Sequence, residues 1–431
     1  MKKILKYFLT YIIMITIFIL SIVVISLIPS EKIYENIKKS SLTLLEEGDL
    51  LRCPSYRKIK FDNYTDSLML NNAYSINNKS PFESAMLVRE NYIYGISAEA
   101  TRDVLGEHIQ TKAQVKELED LINNNPDQSH EYARYWHGYL VYLRPLLLLF
   151  DYSKIRIIIL IVLIFLILGL LYNLYKLKKI TTLISLTIAL ICVDIQLVFL
   201  SLQSMITFVI MLLSSNILIK KINKNMNINL FFFIIGGVTC FFDLLTTPLI
   251  TLGIPLILYL ELTKEKQVKK IIIDIIRISL SWGIGYLSVC ITKWVIVDIF
   301  FERNVINTAI QQFFYRSDKT YLNILGALIK NLTYTNLSLF IIISSCYLIF
   351  ILNRKKGSLK VKESIPYFII MNMPIIWYII LSQHSDMHSF FTYRLLSISF
   401  FAIETGTIKL LNIKKKESND GFIEKNNNKK I

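Results

Sequence analysis

The sequence predicts an all-α membrane bundle of about ten transmembrane helices, with one large extracytoplasmic loop domain after helix 1 and an interfacial helix before helix 2. Three observations carry that expectation. Of 431 residues, 53% are hydrophobic, and the mean hydropathy is +0.48. The apolar residues fall in runs of about 17–25, the length a helix needs to cross a hydrocarbon core. Each run is continuously apolar rather than alternating, which points to helices and not to a barrel.

The expected spans are 7–28, 155–175, 180–199, 203–219, 229–244, 248–262, 271–298, 336–352, 364–381 and 391–411. Basic clusters recur at one end of successive spans: Lys2, Lys3 and Lys6; Lys176, Lys178 and Lys179; Lys220, Lys221 and Lys224; Lys264, Lys266, Lys269 and Lys270; Arg354, Lys355 and Lys356; Lys414, Lys415 and Lys416. This is the positive-inside pattern, and with an even number of spans it predicts a multi-pass plasma-membrane protein with both termini cytoplasmic. The first span has a basic start but is too long for a signal-peptide core, and Ile28-Pro29-Ser30 is a poor cleavage site, so it reads as a retained helix.

The organisation follows: a first helix in 1–30, an extracytoplasmic domain in 31–152, a multi-helix transmembrane domain in 153–412 and a disordered cytoplasmic tail in 413–431. The net charge of +16 would suggest nucleic acid in a soluble protein, but its placement orients helices and leaves no nucleic-acid partner. The loop 31–152 is itself acidic, with 18 Asp and Glu against 14 Lys and Arg. Of five cysteines only Cys53 lies in that loop, so it has no internal disulfide, and no CxxC spacing indicates zinc.

Within the loop, residues 111–124 predict a short amphipathic helix with Val115, Leu118, Leu121 and Ile122 on one face and Thr111 as its cap. Residues 132–150 are dense in Tyr and Trp but are interrupted by Gly138 and Pro145, and read as the interfacial helix.

Polar residues near apolar spans are costly, so their positions are informative. Asp194, beside Gln196 in the third span, reads as a buried hydrogen-bonding pair more readily than as a substrate ligand. Four segments converge on the outer side if the topology is right. Residues 61–71 offer Asp62 and Asp66, four apart, as carboxylate candidates. Residues 134–137 offer Arg134 and His137. Asp243 stands at the outer end of the fifth span. Residues 383–394 offer His384, Asp386, His388 and Arg394. Each has a plain alternative: solvated acids and caps for the aspartates, snorkelling anchors for Arg134 and His137. The two late histidines with Arg394 suit a phosphate at the membrane surface. His384 and His388 also have i, i+4 spacing for a divalent cation, but no third histidine stands nearby to support a zinc site.

A long loop after the first helix, an aromatic interfacial helix and then a bundle resembles the GT-C superfamily of membrane glycosyltransferases. The segments Tyr-Ala-Arg-Tyr-Trp-His-Gly-Tyr (132–139), Phe-Asp-Leu-Leu-Thr-Thr-Pro-Leu (242–249) and His-Ser-Asp-Met-His-Ser-Phe-Phe-Thr-Tyr-Arg (384–394) are similar to a poorly characterised bacterial group of that type, met among surface-polysaccharide functions. The resemblance implies transfer of a sugar from a polyprenyl-phosphate donor to a glycan or lipid-linked acceptor outside the cell, with inversion. It implies a first-loop carboxylate as base, by position Asp62 or Asp66, although neither belongs to an adjacent Asp-Glu pair. Arg134, His137, Asp243, His384, His388 and Arg394 would then hold substrate and phosphate. No cofactor is required beyond, at most, a divalent cation.

Two other classes compete. A transporter or flippase of a lipid-linked or small polar solute needs ionisable groups at mid-bilayer and broken helices, for which Asp194 and Gly236-Gly237 speak. A polysaccharide polymerase or ligase would usually carry its large loop late in the chain, whereas here it follows the first span. No internal repeat is evident.

Overall fold

The computed structural model describes residues 2–48, 50–52, 60–92, 113–124, 126–222, 224, 226–263, 265, 267–317, 321–356, 359–411 and 414–415. The expected cap Thr111, Cys53 and tail residues 416–431 lie outside them.

Among the described residues the fold is helical, with three two-stranded antiparallel sheets. Five helices are long and apolar enough to cross a membrane: α1 (Lys2–Ser26), α7 (Tyr152–Lys176), α9 (Leu202–Lys221), α12 (Val268–Phe301) and the joined α16 (Val361–Met371) and α17 (Met373–Ile380). A sixth exists if α14 (Tyr321–Tyr334) and α15 (Leu337–Arg354), bent by 63°, form one broken span. The expected runs 180–199, 229–244 and 248–262 contain shorter apolar helices: α8 (Ile180–Ile191), α10 (Ile228–Phe242) and α11 (Ile250–Leu262). The last expected run contains α20 (Leu396–Leu410). Helix length therefore supports five or six crossings where apolar runs alone suggest ten.

Local chemistry explains where the helices begin. Asp151, Ser201 and Asn227 each accept a backbone N–H in the first turn of α7, α9 and α10, from Lys154, Ser204 and Leu230. Outward faces of α1, α7 and α12 stay apolar and exposed, as at Phe8, Phe165 and Leu287, which a lipid-embedded bundle requires.

The tightest crossing is between α10 and α12. A Cβ at Gly236 would strike the Trp282 carbonyl, and one at Gly285 would strike the Phe233 carbonyl. Two opposed glycines let these backbones touch, the usual device for helices without a hydrophobic drive between them.

The segment between α1 and α7 builds a small unit of its own. It contains α2 (Tyr34–Glu47), α3 (Asn63–Tyr74), α4 (Pro81–Leu87), α5 (Ala113–Asn123) and α6 (Leu140–Leu147). Strands β1 (Leu50–Arg52) and β2 (Lys60–Asp62) pair in one sheet, and β3 (Arg89–Tyr92) and β4 (Gln128–Glu131) in another. Helix α5 presents Val115, Leu118, Leu121 and Ile122 inward against α2 and α3, the face its spacing predicts. Each such burial contributes roughly 2 kcal/mol. The expected interfacial helix is only partly helical: residues 132–139 are irregular and α6 is eight residues long, carrying Pro145.

Buried Arg144 on α6 ties the unit to α1. Its guanidinium donates to the carbonyls of Ile25 and Ile28 and, across the unit, of Ala73 at the end of α3. One fixed cation thus binds carbonyls at the ends of two helices.

Candidate active site

Both early aspartates accept hydrogen bonds from the framework. Asp62 caps α3, accepting Thr65 N–H at 2.9 Å and Thr65 O–H at 2.5 Å. Asp66 is fully buried. Its Oδ1 accepts Ser201 O–H (3.1 Å) and Gln203 N–H (3.1 Å); its Oδ2 accepts Leu202 N–H (2.8 Å) and the Tyr152 hydroxyl. Tyr152 also accepts from Arg156 (2.8 Å), which pairs in bidentate fashion with Glu47 (2.6 and 2.9 Å). A carboxylate accepting four hydrogen bonds has no lone pair free for a substrate proton. That ground removes Asp66 as a base; Asp62 does not border the cavity around Asp243, although its strand β2 packs against residues 389–392, just after His388.

The hollow forms around Asp243 instead. A cavity of about 450 Å³ lies between α10, α12, α17, the arm 134–136 and the short helix α13 (Val305–Arg316). All four tryptophans of the chain line it: Trp136, Trp282, Trp294 and Trp377. Its polar groups are few: Asp243, Arg134, Arg316, Tyr135, Tyr286 and Gln312. A wider cleft of about 700 Å³ opens near Tyr34 and Tyr74, but it is shallow-walled and rimmed by exposed asparagines such as Asn78 and Asn123. The smaller cavity concentrates carboxylate, cations and aromatic rings, and chemistry favours it over size.

Sequence places each wall. Helix α10 ends at Phe242, and Asp243 begins a tight turn in which Thr246 donates its N–H to both carboxylate oxygens (3.1 and 3.2 Å) and its hydroxyl to Oδ1 (2.5 Å). Thr246 thus engages both carboxylate oxygens, as Thr65 does those of Asp62, and what sets Asp243 apart is that it borders the cavity. The arm 134–136 reaches this turn because Gly138 N–H donates to the Phe241 carbonyl at 2.9 Å, an approach that any Cβ at Gly138 would block. Arg316 donates to the Tyr135 hydroxyl at 2.7 Å. Arg134 stands over the Tyr132 ring, and its carbonyl accepts Trp294 N–H at 2.9 Å. Buried Lys293 donates to the Met86 and Ala85 carbonyls (2.7 and 3.2 Å) and lies 5.4 Å from the Trp136 ring, fixing α4 against this wall.

The expected histidines adjoin the site but are not its cations. His384 bonds the Leu245 carbonyl through Nε2 at 3.1 Å, bracing the Asp243 turn, and its ring lies 4.7 Å from that of His388. Burial, then the neighbouring ring and Arg316, hold the His384 imidazole well below its ordinary pKa; burial and Arg316 hold His388 down at about 4. Burial pushes His137 down to about 3, and its two nitrogens meet Tyr139 O–H (3.0 Å) and the Tyr132 carbonyl (2.7 Å). All three are neutral near pH 7, so the cations that line the cavity are Arg134 and Arg316. Asp386 pairs with Lys330 at 2.7 Å. Among the described residues no group of three or more His, Cys, Asp or Glu gathers as a metal site.

Arg394 is buried elsewhere, 4.8 Å over Tyr393, beside Asp194. Asp194 accepts from Asn336 (2.8 Å), Gln196 (3.2 Å) and Tyr393 (3.1 Å). The expected Asp194–Gln196 pair is present and belongs to a larger polar node.

Arg316, Tyr135 and Gln312 escaped the sequence reading, as did the convergence of the tryptophans. Four Trp in so apolar a chain was the available signal. Comparison with family models, characterised proteins and solved structures found no match to this chain.

Proposed function

We propose that the chain is a membrane glycosyltransferase that moves a sugar from a polyprenyl-phosphate donor to a glycan or lipid-linked acceptor on the outer side of the cell membrane, with Asp243 as base. The observation that carries this reading is one cavity holding a single carboxylate, two arginines and every tryptophan of the chain. Indole faces suit the C–H faces of a sugar, and guanidinium groups suit a phosphate. Exposed Leu287 and Phe313 on the cavity rim offer an apolar path for the lipid tail.

The chemistry needs one base and one anion site. Asp243 takes the proton from the acceptor hydroxyl as that oxygen attacks the anomeric carbon. The bond from that carbon to the phosphate oxygen breaks, the configuration inverts, and the lipid phosphate leaves with its charge held by Arg134 and Arg316. One carboxylate suffices, unlike hydrolysis with its two. In this reading the unit between α1 and α7 is extracytoplasmic, and both termini, with their lysines, are cytoplasmic. The resemblance to GT-C enzymes supports sugar transfer on the outer side, but it would put the base in the first loop and not at Asp243.

The test is surface-glycan analysis of cells carrying Asp243→Asn. Loss of one glycan modification with normal protein levels supports the reading; an unchanged glycan refutes it.

A second reading rests on a different observation. Two breaks meet at Asp194: residue 194 itself has φ 59°, between α8 and a 3-10 turn, and Asn336 at the α14–α15 bend donates its N–H to the Cys192 carbonyl at 3.0 Å. Paired broken helices around an acid are what a transporter would use. Solute flux into proteoliposomes, abolished by Asp194→Asn, would favour it.

A further inference from the structure

Helices α10 and α12 bring two cysteines together. The glycines at their crossing, Gly236 and Gly285, let the backbones touch. One turn further toward Asp243, the thiols of Cys240 and Cys290 are hydrogen-bonded to each other. Both residues belong to the cavity wall. On α12 the lining residues Trp282, Tyr286, Cys290 and Trp294 recur at every fourth position and so form one stripe. On α10 Cys240 lines the same hollow one turn before Asp243. The other cysteines among the described residues have different settings: Cys192 is buried beside Asp194, and Cys346 is exposed on α15.

A disulfide bond is about 2 Å long and needs its two chains side by side. Thiols already in contact, on helices whose backbones touch, meet that need with an inward shift of the sulfurs. We propose that Cys240 and Cys290 are a modification site: a dithiol that a disulfide-type oxidant converts to a disulfide across α10 and α12. The Cys290 thiol, on the more open residue, gives up its proton, and its sulfur attacks one sulfur of the oxidant. The other oxidant sulfur leaves as a thiolate and takes that proton. The Cys240 thiol then loses its proton, attacks the Cys290 sulfur and expels the second half of the oxidant as a thiol. Two protein thiols are oxidised, and one disulfide is reduced to two thiols. The link holds the Asp243 turn at a fixed spacing from Trp282 and Trp294. Val289, adjacent to Cys290, accepts the Trp136 N–H at 2.8 Å, so a pull on Cys290 reaches the arm as well. The inference uses the crossing and the cavity and does not depend on sugar transfer.

The experiment takes the purified full chain in nanodiscs and adds bis(2-hydroxyethyl) disulfide, a small neutral oxidant. Peptide mapping by mass spectrometry is expected to show Cys240 joined to Cys290, each having lost its thiol hydrogen. Intrinsic tryptophan fluorescence should shift as the link forms and return with dithiothreitol, because the rings border the wall that the link pulls. In Cys290→Ser the buried Cys240 must meet the reagent directly, so loss of its thiol should slow at least about tenfold. Cys290 capped by the reagent with Cys240 left as a thiol would overturn the proposal, as would both thiols unreacted. Equal rates of Cys240 loss in wild type and Cys290→Ser would show that the two do not react as a pair. A link that forms without moving the fluorescence would refute its hold on the cavity. None of these results bears on Asp243, which transfer activity tests separately.

Discussion

The carboxylate of Asp66 accepts the backbone N–H of Leu202 at 2.8 Å, so an acid from α3 caps a helix that begins 136 residues later. The same group takes the N–H of Gln203, the next open donor of α9. Helix N-termini attract anions through their free N–H groups and dipole, and here the anion is supplied by the protein. The contact clamps the unit between α1 and α7 onto the bundle. It also explains why this acid of the first loop is not available as a base: its oxygens are spoken for.

Asp66→Ala should therefore damage stability and spare chemistry. Removing a buried acceptor strands two backbone donors and the Tyr152 hydroxyl, a loss of about 2–4 kcal/mol. Thermal unfolding in detergent should shift downward by several degrees, with the fraction that remains folded still binding polyprenyl phosphate. Loss of binding at unchanged unfolding temperature would contradict the clamp.

All four tryptophans border one cavity, so intrinsic fluorescence reports on that cavity alone. Undecaprenyl phosphate should change the emission saturably. Arg316→Ala should weaken the apparent affinity by roughly tenfold or more, because a charge-assisted contact to phosphate is lost. A titration unaffected by Arg316→Ala would place the phosphate elsewhere.

Gly285→Val should disrupt the α10–α12 crossing. A side chain there meets the Phe233 carbonyl, so the helices must separate, and Trp282 and Trp294 on α12 move with them. Overpacking of this kind costs about 1–3 kcal/mol or more. The expected readout is lower folded yield together with loss of the fluorescence response to lipid phosphate. Normal yield and response would show that the crossing is not tightly set.

The Glu90 carboxyl should cost the unit between α1 and α7 stability as pH rises. Burial, and then Glu117, raise the Glu90 carboxyl from its ordinary 4.5 to about 7. The folded state thus holds this proton more tightly than the unfolded state. Stability from this group is fully present below about pH 4.5 and is lost as pH climbs to about 7, beyond which it changes no further. Glu90→Gln can keep a partner in Gln114 and should flatten the dependence. Chemical denaturation of wild type and Glu90→Gln at pH 5 and pH 8 checks it, because buried neutral His137 acts in the opposite sense in both proteins; the same pH dependence in the two would refute the burial argument.

Much of the fold was legible because membrane helices announce themselves by composition. The apolar run 155–175 becomes α7, and the spacing of Val115, Leu118 and Ile122 becomes the buried face of α5. Helix length was less legible, since an apolar run does not reveal a break: nothing around Asp194 or Asn336 marks the turn that divides α8 from α9 or bends α14 against α15. The site was half legible. Asp243 and Arg134 stood out as polar residues beside apolar spans. The state of Asp66 did not, because its partners at 201–203 are remote in sequence and two of them are backbone groups. The histidines misled for a similar reason: their charge depends on burial, which only the folded chain reveals.

The most direct measurement is sugar transfer by the purified protein from an undecaprenyl-phosphate-linked sugar, comparing Asp243→Asn with wild type. The account predicts that the variant still binds the lipid, with the fluorescence change intact, and transfers at least a hundredfold more slowly, as loss of a general base implies. Transfer by Asp243→Asn at the wild-type rate would contradict it.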